Sequence, residues 1–400
     1  MRILAPFGFY GSGNIGDEAT LVGFGELVRA FASRFDTSIA SVSPSHTARV
    51  EPYFRYHRYK GGFVGLRSKL TAHHARALVF PGGTPIQDSL GSWPLDQVAP
   101  MVEYGHKWGK AAVFLGVGVE GLARNESREI MRSRIIPRVA YWTVRSSMDQ
   151  QRLLDYGAPA DRVTVAADMA WLIRKAGPTF GQEVLQPHLA SGRPLIAVNI
   201  NAETEMLERA PALLQNLARA LDALIDRHDA RVIFFFNETR QDPTYDIAAA
   251  KQLTGMMRRA DEVFAVPETY FSPMQVMSIL GNCALVISTR YHACIFSALQ
   301  GKPFVALKRS DKLFDLCSDL QWTHGVAVEA ATDVEIADQA DALLSSPQNA
   351  ISHLAAKVDG MRVRARKNLK GLEELRAATG SSYGLLHAVN NALRLGSKPA

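Results

Sequence analysis

Arg290 and His292 sit two positions apart in Thr289-Arg290-Tyr291-His292, directly after the apolar run 284–288. A guanidinium and an imidazole at this spacing are groups that bind an anion and exchange a proton with it. In an open α/β sheet, residues just past the carboxyl end of a strand face the ligand crevice, where a helix N-terminus also favours negative charge. The same spacing suits a plain helix cap with an exposed arginine above a packed tyrosine, and the residues alone leave both readings open. Two more charges stand at strand ends. Arg145 ends the run 142–145, where a capping or surface role is equally compatible. Asp88 follows Pro81-Gly82-Gly83 after the run 75–80. The paired glycines permit close backbone approach to a ligand, while an Asp at this point also suits an Asx turn or an N-cap.

The elements that must position these residues follow from periodicity and punctuation. A strand over 2–9, interrupted by Pro6, leads into Gly11-Ser12-Gly13-Asn14-Ile15-Gly16-Asp17-Glu18 and a helix over 19–35 with apolar Leu21, Phe24, Leu27, Val28 and Phe31. Gly11, Gly13 and Gly16 satisfy G-x-G-x-x-G, but the run 37–42 leads into Ser43-Pro44-Ser45 instead of an acidic residue, which argues against a dinucleotide cofactor. The loop reads as a tight turn or as a phosphate cradle. Strands over 75–80, 111–117, 142–145 and 163–167 alternate with helices and predict a parallel doubly wound sheet.

Glycine and proline cluster at Gly177, Pro178, Gly181, Pro187, Gly192 and Pro194, marking a boundary. A second set of units follows, with strands over 195–200, 231–236, 262–266, 284–288 and 304–307. Its helices run over 210–228, 248–259, 272–280 and 293–300, and Ser272-Pro273 reads as an N-cap with proline in the first turn. The chain then becomes helical over 333–344, 350–378 and 382–395. The expected organisation is a Rossmann-like domain over 1–176, a second over 177–348, and C-terminal helices over 349–400 that cross back to the first. Two such α/β domains would face each other across a cleft.

Composition narrows the class. With 47% hydrophobic and 21% charged residues in 400, the chain is an ordinary globular protein, not a disordered or fibrous one. Its net charge of +6 is diffuse, and no basic block interleaved with aromatics argues for nucleic acid. Cys283, Cys294 and Cys317 are odd in number and lack C-x-x-C spacing, so reduced thiols and a cytoplasmic setting are expected instead of a disulfide framework or a zinc site. No apolar run approaches the ~20 residues of a membrane span, so membrane contact is expected to be peripheral, at the inner face. Oligomeric state is not legible.

Taken together, the chain from residue 1 to about 322 resembles the polysaccharide pyruvyl transferase family. The resemblance rests on four stretches: the loop Gly11–Glu18, the pair Gly82-Gly83 followed by Gln87-Asp88, Arg145 ahead of Leu153-Leu154-Asp155-Tyr156-Gly157, and Arg290-x-His292 with Gly301-x-Pro303. Ser297 stands where the family usually has Ala. Pro81 stands where a third glycine is usual, and Thr84-Pro85 replaces a more common apolar pair, which bears on the acceptor more than on the donor.

The resemblance implies a glycosyltransferase-B-like fold and transfer from phosphoenolpyruvate, as co-substrate without a further cofactor or metal, to a sugar or lipid-linked oligosaccharide acceptor. The product is a cyclic pyruvate ketal. Arg145 and Arg290 would grip the donor's carboxylate and phosphate, since planar guanidinium forks match such groups better than lysine. His292 would assist phosphate departure and Asp88 would act as base on the acceptor hydroxyl. Tyr291, Gly13, Asn14, Asp17, Gly83, Asn201 and Lys312 are candidate substrate contacts, joined by Glu18 and Asn237 as contacts or domain-closing groups, and Asp168 is read as structural or cleft-lining. A nucleotide-sugar transferase or a non-catalytic carbohydrate-binding protein on the same fold is the competing expectation.

Overall fold

Short runs of β-branched and aromatic residues, each closed by glycine, proline or a polar turn, become strands buried on both faces. In the computed structural model, which describes residues 1–30, 35–58, 71–89, 91–240 and 242–380, the chain divides into two compact units. Phe31 and the helix expected over 382–395 lie outside the described residues.

The first unit comprises Met1–Ser12, Thr20–Leu172 and the chain from Arg362. Its strands are β1 (Arg2–Ala5), β2 (Asp36–Ser41), β3 (Arg55–Arg58), β4 (Ala77–Pro81), β5 (Ala111–Val117), β6 (Tyr141–Val144) and β7 (Val163–Val165). They pair in parallel in the order β3-β2-β1-β4-β5-β6-β7. The order reverses between β1 and β4, the place where open α/β sheets form their crevice. β1 stops at Ala5, short of the expected strand, because Pro6 has no N–H for the ladder. Phe80, Phe114 and Trp142 stack across three neighbouring strands at centroid separations of 4.3 and 4.2 Å, a continuous aromatic layer in one face of the core.

On the other face, Ile3, Val79 and Val113 pack with Phe24, Leu27, Leu372 and Leu375. The last two belong to the helix Leu369–Gly380, whose Gly371 lies so close to the sheet that a Cβ would fall 2.3 Å from Leu115 Cδ2. The basic stretch expected as one helix over 350–378 is two, Pro347–Arg366 and Leu369–Gly380. Asn368 separates them. Its side chain accepts from Thr143 Oγ1 and donates to the Ala167 carbonyl at 2.9 Å, giving the break a fixed position on the first sheet.

The second unit comprises Gly13–Ala19 and Ile173–Met361. Its strands are β8 (Leu195–Asn199), β9 (Arg231–Phe234), β10 (Val263–Ala265), β11 (Leu285–Ser288), β12 (Phe304–Lys308) and β13 (Gly325–Ala327). They are parallel in the order β10-β9-β8-β11-β12-β13, so here the reversal falls between β8 and β11. The helix Pro273–Gly281 opens with the expected cap at Ser272. Its Oγ accepts the Gln275 N–H at 3.3 Å, while Gln275 Oε1 accepts the Ser272 N–H at 2.9 Å, a reciprocal box whose cap contributes about 1 kcal/mol.

The edge strands β3 and β13 escaped the reading of hydrophobic runs. One is the polar Arg55-Tyr56-His57-Arg58 and the other only three residues long. Cys283, Cys294 and Cys317 are buried free thiols. Among the described residues, no helix is long and apolar enough to cross a membrane.

Candidate functional site

Register places Asn199 beside Ser288 at the carboxyl ends of β8 and β11, where the second sheet reverses. Ser288 Oγ accepts the Arg290 N–H at 2.9 Å, ending the strand and leaving Arg290 in extended backbone as the residue before the helix Tyr291–Leu299. That helix starts two residues earlier than expected, so Tyr291 and His292 lie in its first turn. Arg290 is therefore the cap residue by position, but its side chain makes no cap hydrogen bond.

The Arg290 guanidinium donates instead to Asp246 Oδ1, from Nη2 at 2.6 Å and from Nε at 3.2 Å. Asp246 is the first residue of the helix Asp246–Met256 and is almost fully buried. Its other oxygen accepts Asn199 Nδ2 at 2.8 Å and the N–H groups of Asn237 and Glu238 at 2.8 and 3.1 Å. A carboxylate so saturated is a rigid anchor, and it fixes the plane of the guanidinium. Burial disfavours the charge on Arg290, but Asp246 and Glu203 outweigh it and leave the pKa above the ordinary arginine value.

A second arginine completes the cluster. Arg309 lies just past β12 and donates to Glu203, whose other oxygen is 3.7 Å from Arg290 Nη1. Burial lowers the Arg309 pKa, with Glu203 working in the opposite sense. Glu203 itself is held below the usual carboxylate range: burial raises it, and Arg309, Arg290 and Lys312 together more than reverse that. Asn201, fully buried beyond β8, accepts from Thr289 Oγ1 at 2.8 Å, and its amide nitrogen has no hydrogen-bond partner among the described residues.

The glycine loop belongs to this unit, although chain order sets it beside β1. Asn14 pairs with Glu238 as an antiparallel bridge, and the Ile15 N–H donates to the Asn237 carbonyl at 3.0 Å. Asn14 Oδ1 accepts the Gly16 N–H at 2.9 Å, the contact of an N-cap, so the helix Ile15–Ala30 begins before the expected residue 19. Gly13 holds a φ of +97°, which suits glycine. Gly16 lies against His292, and a Cβ there would fall 2.2 Å from Nδ1. The close approach that Gly16 permits is thus to an imidazole that also meets the Tyr291 ring edge-on at 5.1 Å and the Phe296 ring at 6.4 Å. Asp17 adds to the negative field that raises the Arg240 pKa, a field set chiefly by the hydrogen bond to Glu238. Of the other candidates, Lys312 lies in the helix Asp311–Asp319 and bears on Glu203.

Asp88, Gly83 and Arg145 fall in the first unit. Gly82 and Gly83 have φ of +68° and +70°, and the Gly83 carbonyl accepts the Gly118 N–H at 2.8 Å. Asp88 is buried and accepts the N–H groups of Ala123 and Arg124 at 3.1 and 2.8 Å. Burial raises its pKa, and these bonds outweigh it and hold the carboxyl below its ordinary range. Those surroundings make Asp88 a loop anchor and a weaker base than a carboxylate in water.

Arg145 is buried, with its guanidinium against Gly118, where a Cβ would fall 2.2 Å from Cζ. Its Nε is 3.5 Å from Asp149, which also accepts the Val119 N–H at 2.6 Å and Ser146 Oγ at 2.9 Å. Burial pushes the Asp149 carboxyl up, against the pull of Arg145. Asp168, also in this unit, accepts Thr20 Oγ1 at 3.2 Å and the Ala170 N–H at 2.9 Å, tying the first helix to the end of the unit.

Three residues of the second-unit cluster lay outside the sequence reading: Asp246, Glu203 and Arg309. Arg309 stands at a strand end, and the rule that selected Arg145 and Arg290 would have found it. Asp246 carries no such signal, because its link to Arg290 spans 44 residues of chain.

Two parallel sheets, each with a central reversal and helices alongside, define a pair of Rossmann-like units of the glycosyltransferase-B-like class. Solved structures of that class are similar over nearly the whole chain. A putative UDP-N-acetylglucosamine 2-epimerase from Listeria monocytogenes superposes with a TM-score of 0.63 at 10% identity, covering 93% of this chain and 95% of its own. Anabaena Alr3699/HepE in complex with UDP-glucose gives 0.60 at 12% identity, covering 100% of both chains. A glycosyltransferase from Rickettsia africae gives 0.61 at 12%, covering 95% of this chain and 99% of its own. At such identities the likeness is one of fold. No curated protein matches the sequence. The family model for polysaccharide pyruvyl transferase matches residues 14–311, and the chain belongs to that family.

Proposed function

We propose that the protein transfers a pyruvyl group from phosphoenolpyruvate to two hydroxyls of a sugar, in a polysaccharide or its lipid-linked precursor. The observation that supports this most is the anchored Arg290, flanked by Arg309 and Lys312, at the reversal of the second sheet. Two planar guanidinium groups and a lysine suit a small ligand carrying both a carboxylate and a phosphate.

In the reaction, one sugar oxygen bonds to the central carbon of the enol ester while the methylene carbon takes up a proton, giving a methyl group. A second sugar oxygen then bonds to the same carbon as its bond to the phosphate oxygen breaks. Of the two hydroxyl protons released, one balances the proton gained by carbon and the other leaves with phosphate. Arg290 stabilises the charge gathering on the leaving group, and His292, held by Gly16 and Tyr291, donates to the departing oxygen.

The test is phosphate release from phosphoenolpyruvate with a panel of hexose and lipid-linked acceptors. Acceptor-dependent release, accompanied by a ketal methyl signal in the product, is expected. Turnover of a nucleotide sugar with none of phosphoenolpyruvate would overturn the reading.

A further inference from the structure

Two carboxylates hold Arg290, and they differ in kind. Asp246 is 1% exposed, sits on a helix and accepts from backbone N–H groups and an amide as well as from the arginine. Glu203 has a side chain 39% exposed and precedes the short helix Thr204–Arg209. The side-chain partners of Glu203 are Arg309 and Arg290, with Lys312 adding to the field, so every one of them is a cation. Among the described residues nothing else ties its carboxylate down, and rotation about its own bonds would deliver it to water.

A second observation comes from the loops that carry these residues. Three donors on the flanking loops have no hydrogen-bond partner among the described residues: Asn201 Nδ2, Arg309 Nε and Ser310 Oγ. Asn201 is fully buried and lies two residues before Glu203. Buried donors of this kind are ordinarily satisfied, and a single carboxylate with two oxygens cannot serve two arginines and these three groups together. A tetrahedral oxyanion presents more acceptor oxygens and more charge.

We propose that Glu203 is an internal stand-in for the phosphate group of the donor, displaced from Arg290 and Arg309 when that phosphate binds. The proposal rests on the reading of this unit as a site for an anionic donor, and it adds a residue that sets the affinity threshold. A ligand must outcompete a tethered carboxylate, which a phosphate dianion does and a lone carboxylate of the same charge as Glu203 does poorly. The depressed pKa of Glu203 agrees, since it keeps the competitor ionised at neutral pH.

The experiment is calorimetric titration of the full chain with inorganic phosphate at neutral pH, for the wild-type protein, Glu203→Gln and Arg290→Ala, with melting temperatures recorded alongside. Glu203→Gln keeps the shape and removes the charge, and it is expected to bind phosphate roughly tenfold more tightly, the scale of one charge-assisted hydrogen bond freed from competition. Its KM for phosphoenolpyruvate is expected to fall by a similar factor, with kcat changed less. Arg290→Ala should lose phosphate binding.

Equal or weaker phosphate binding by Glu203→Gln would overturn the proposal and make Glu203 a permanent brace for the arginines. Failure of that variant to fold, with no rescue of its melting temperature by added phosphate, would overturn it as well, because a phosphate that takes the carboxylate's place must also take over its neutralising role. Tighter phosphate binding without any turnover of phosphoenolpyruvate would uphold the displacement and remove the proposed function. Turnover without the gain in affinity would do the reverse.

Discussion

Each unit sets an arginine just past a sheet strand and pairs it with a buried aspartate, yet the two arrangements differ in reach. Arg145 follows β6 and pairs with Asp149 four residues on, within one strand-to-helix turn. Arg290 follows β11 and pairs with Asp246, which arrives on a different helix and binds the ends of β8 and β9 through Asn199, Asn237 and Glu238. The first pair is a local device that seats a guanidinium against Gly118. The second joins several strand ends at the reversal of the sheet and gathers a further arginine. The two arrangements therefore predict different responses to substitution.

The comparison can be broken most forcefully at Asp246. Asp246→Ala strands a buried guanidinium and removes the acceptor of two backbone N–H groups, so a loss of about 3–5 kcal/mol in denaturant unfolding is expected, with turnover abolished. A stable, active variant would show that the remote network is dispensable. Arg290→Ala comes next. A fall in kcat/KM for phosphoenolpyruvate on the order of 10²–10³-fold is expected, with Arg290→Lys little better because the fork is lost.

Arg145→Ala should act on stability first, costing on the order of 2–3 kcal/mol, since the contact with Asp149 is long and Asp149 keeps the Val119 and Ser146 donors. If its melting temperature stays level while turnover collapses, the two arginines are equivalent and the contrast fails.

A smaller effect is expected at Asp88. Its pKa is lowered in the folded protein, so its contribution is present above the unfolded value of about 3.9 and is lost as pH falls through the folded value. Asp88→Asn should therefore flatten the decline of melting temperature below about pH 4 and cost on the order of 1 kcal/mol near neutrality. An unchanged acid limb would show that the loop at Ala123 and Arg124 is held by something else.

The least change is expected from the thiols. Burial pushes Cys283 up to about 12 and Cys317 up to about 11, so iodoacetamide at pH 8 should label neither until the protein is denatured. Rapid labelling of the native protein would mean that the second unit opens readily around β11 and β12.

Much of this molecule is legible in one dimension because its signals are local. Buried parallel strands read as continuous apolar runs, and β5 lies where its run predicts. Ser272-Pro273 caps a helix through bonds that span three residues. Arg145 and Asp149, four apart across the turn from β6 into the next helix, are likewise within reach of a reading by spacing. The sequence by itself therefore determined the α/β alternation and most of the apolar runs that become buried parallel strands.

Tertiary structure alone decided which charges meet. The order of strands, and with it the reversal between β8 and β11, depends on packing whole units, which no local pattern encodes. The meeting of Asp246 with Arg290, the bridging of Arg290 and Arg309 by Glu203, and the seating of Gly16 on His292 each join residues distant in the chain. Side-chain electrostatics acts over a few ångströms and is indifferent to sequence separation, so these contacts exist only once the sheet has brought its strand ends together.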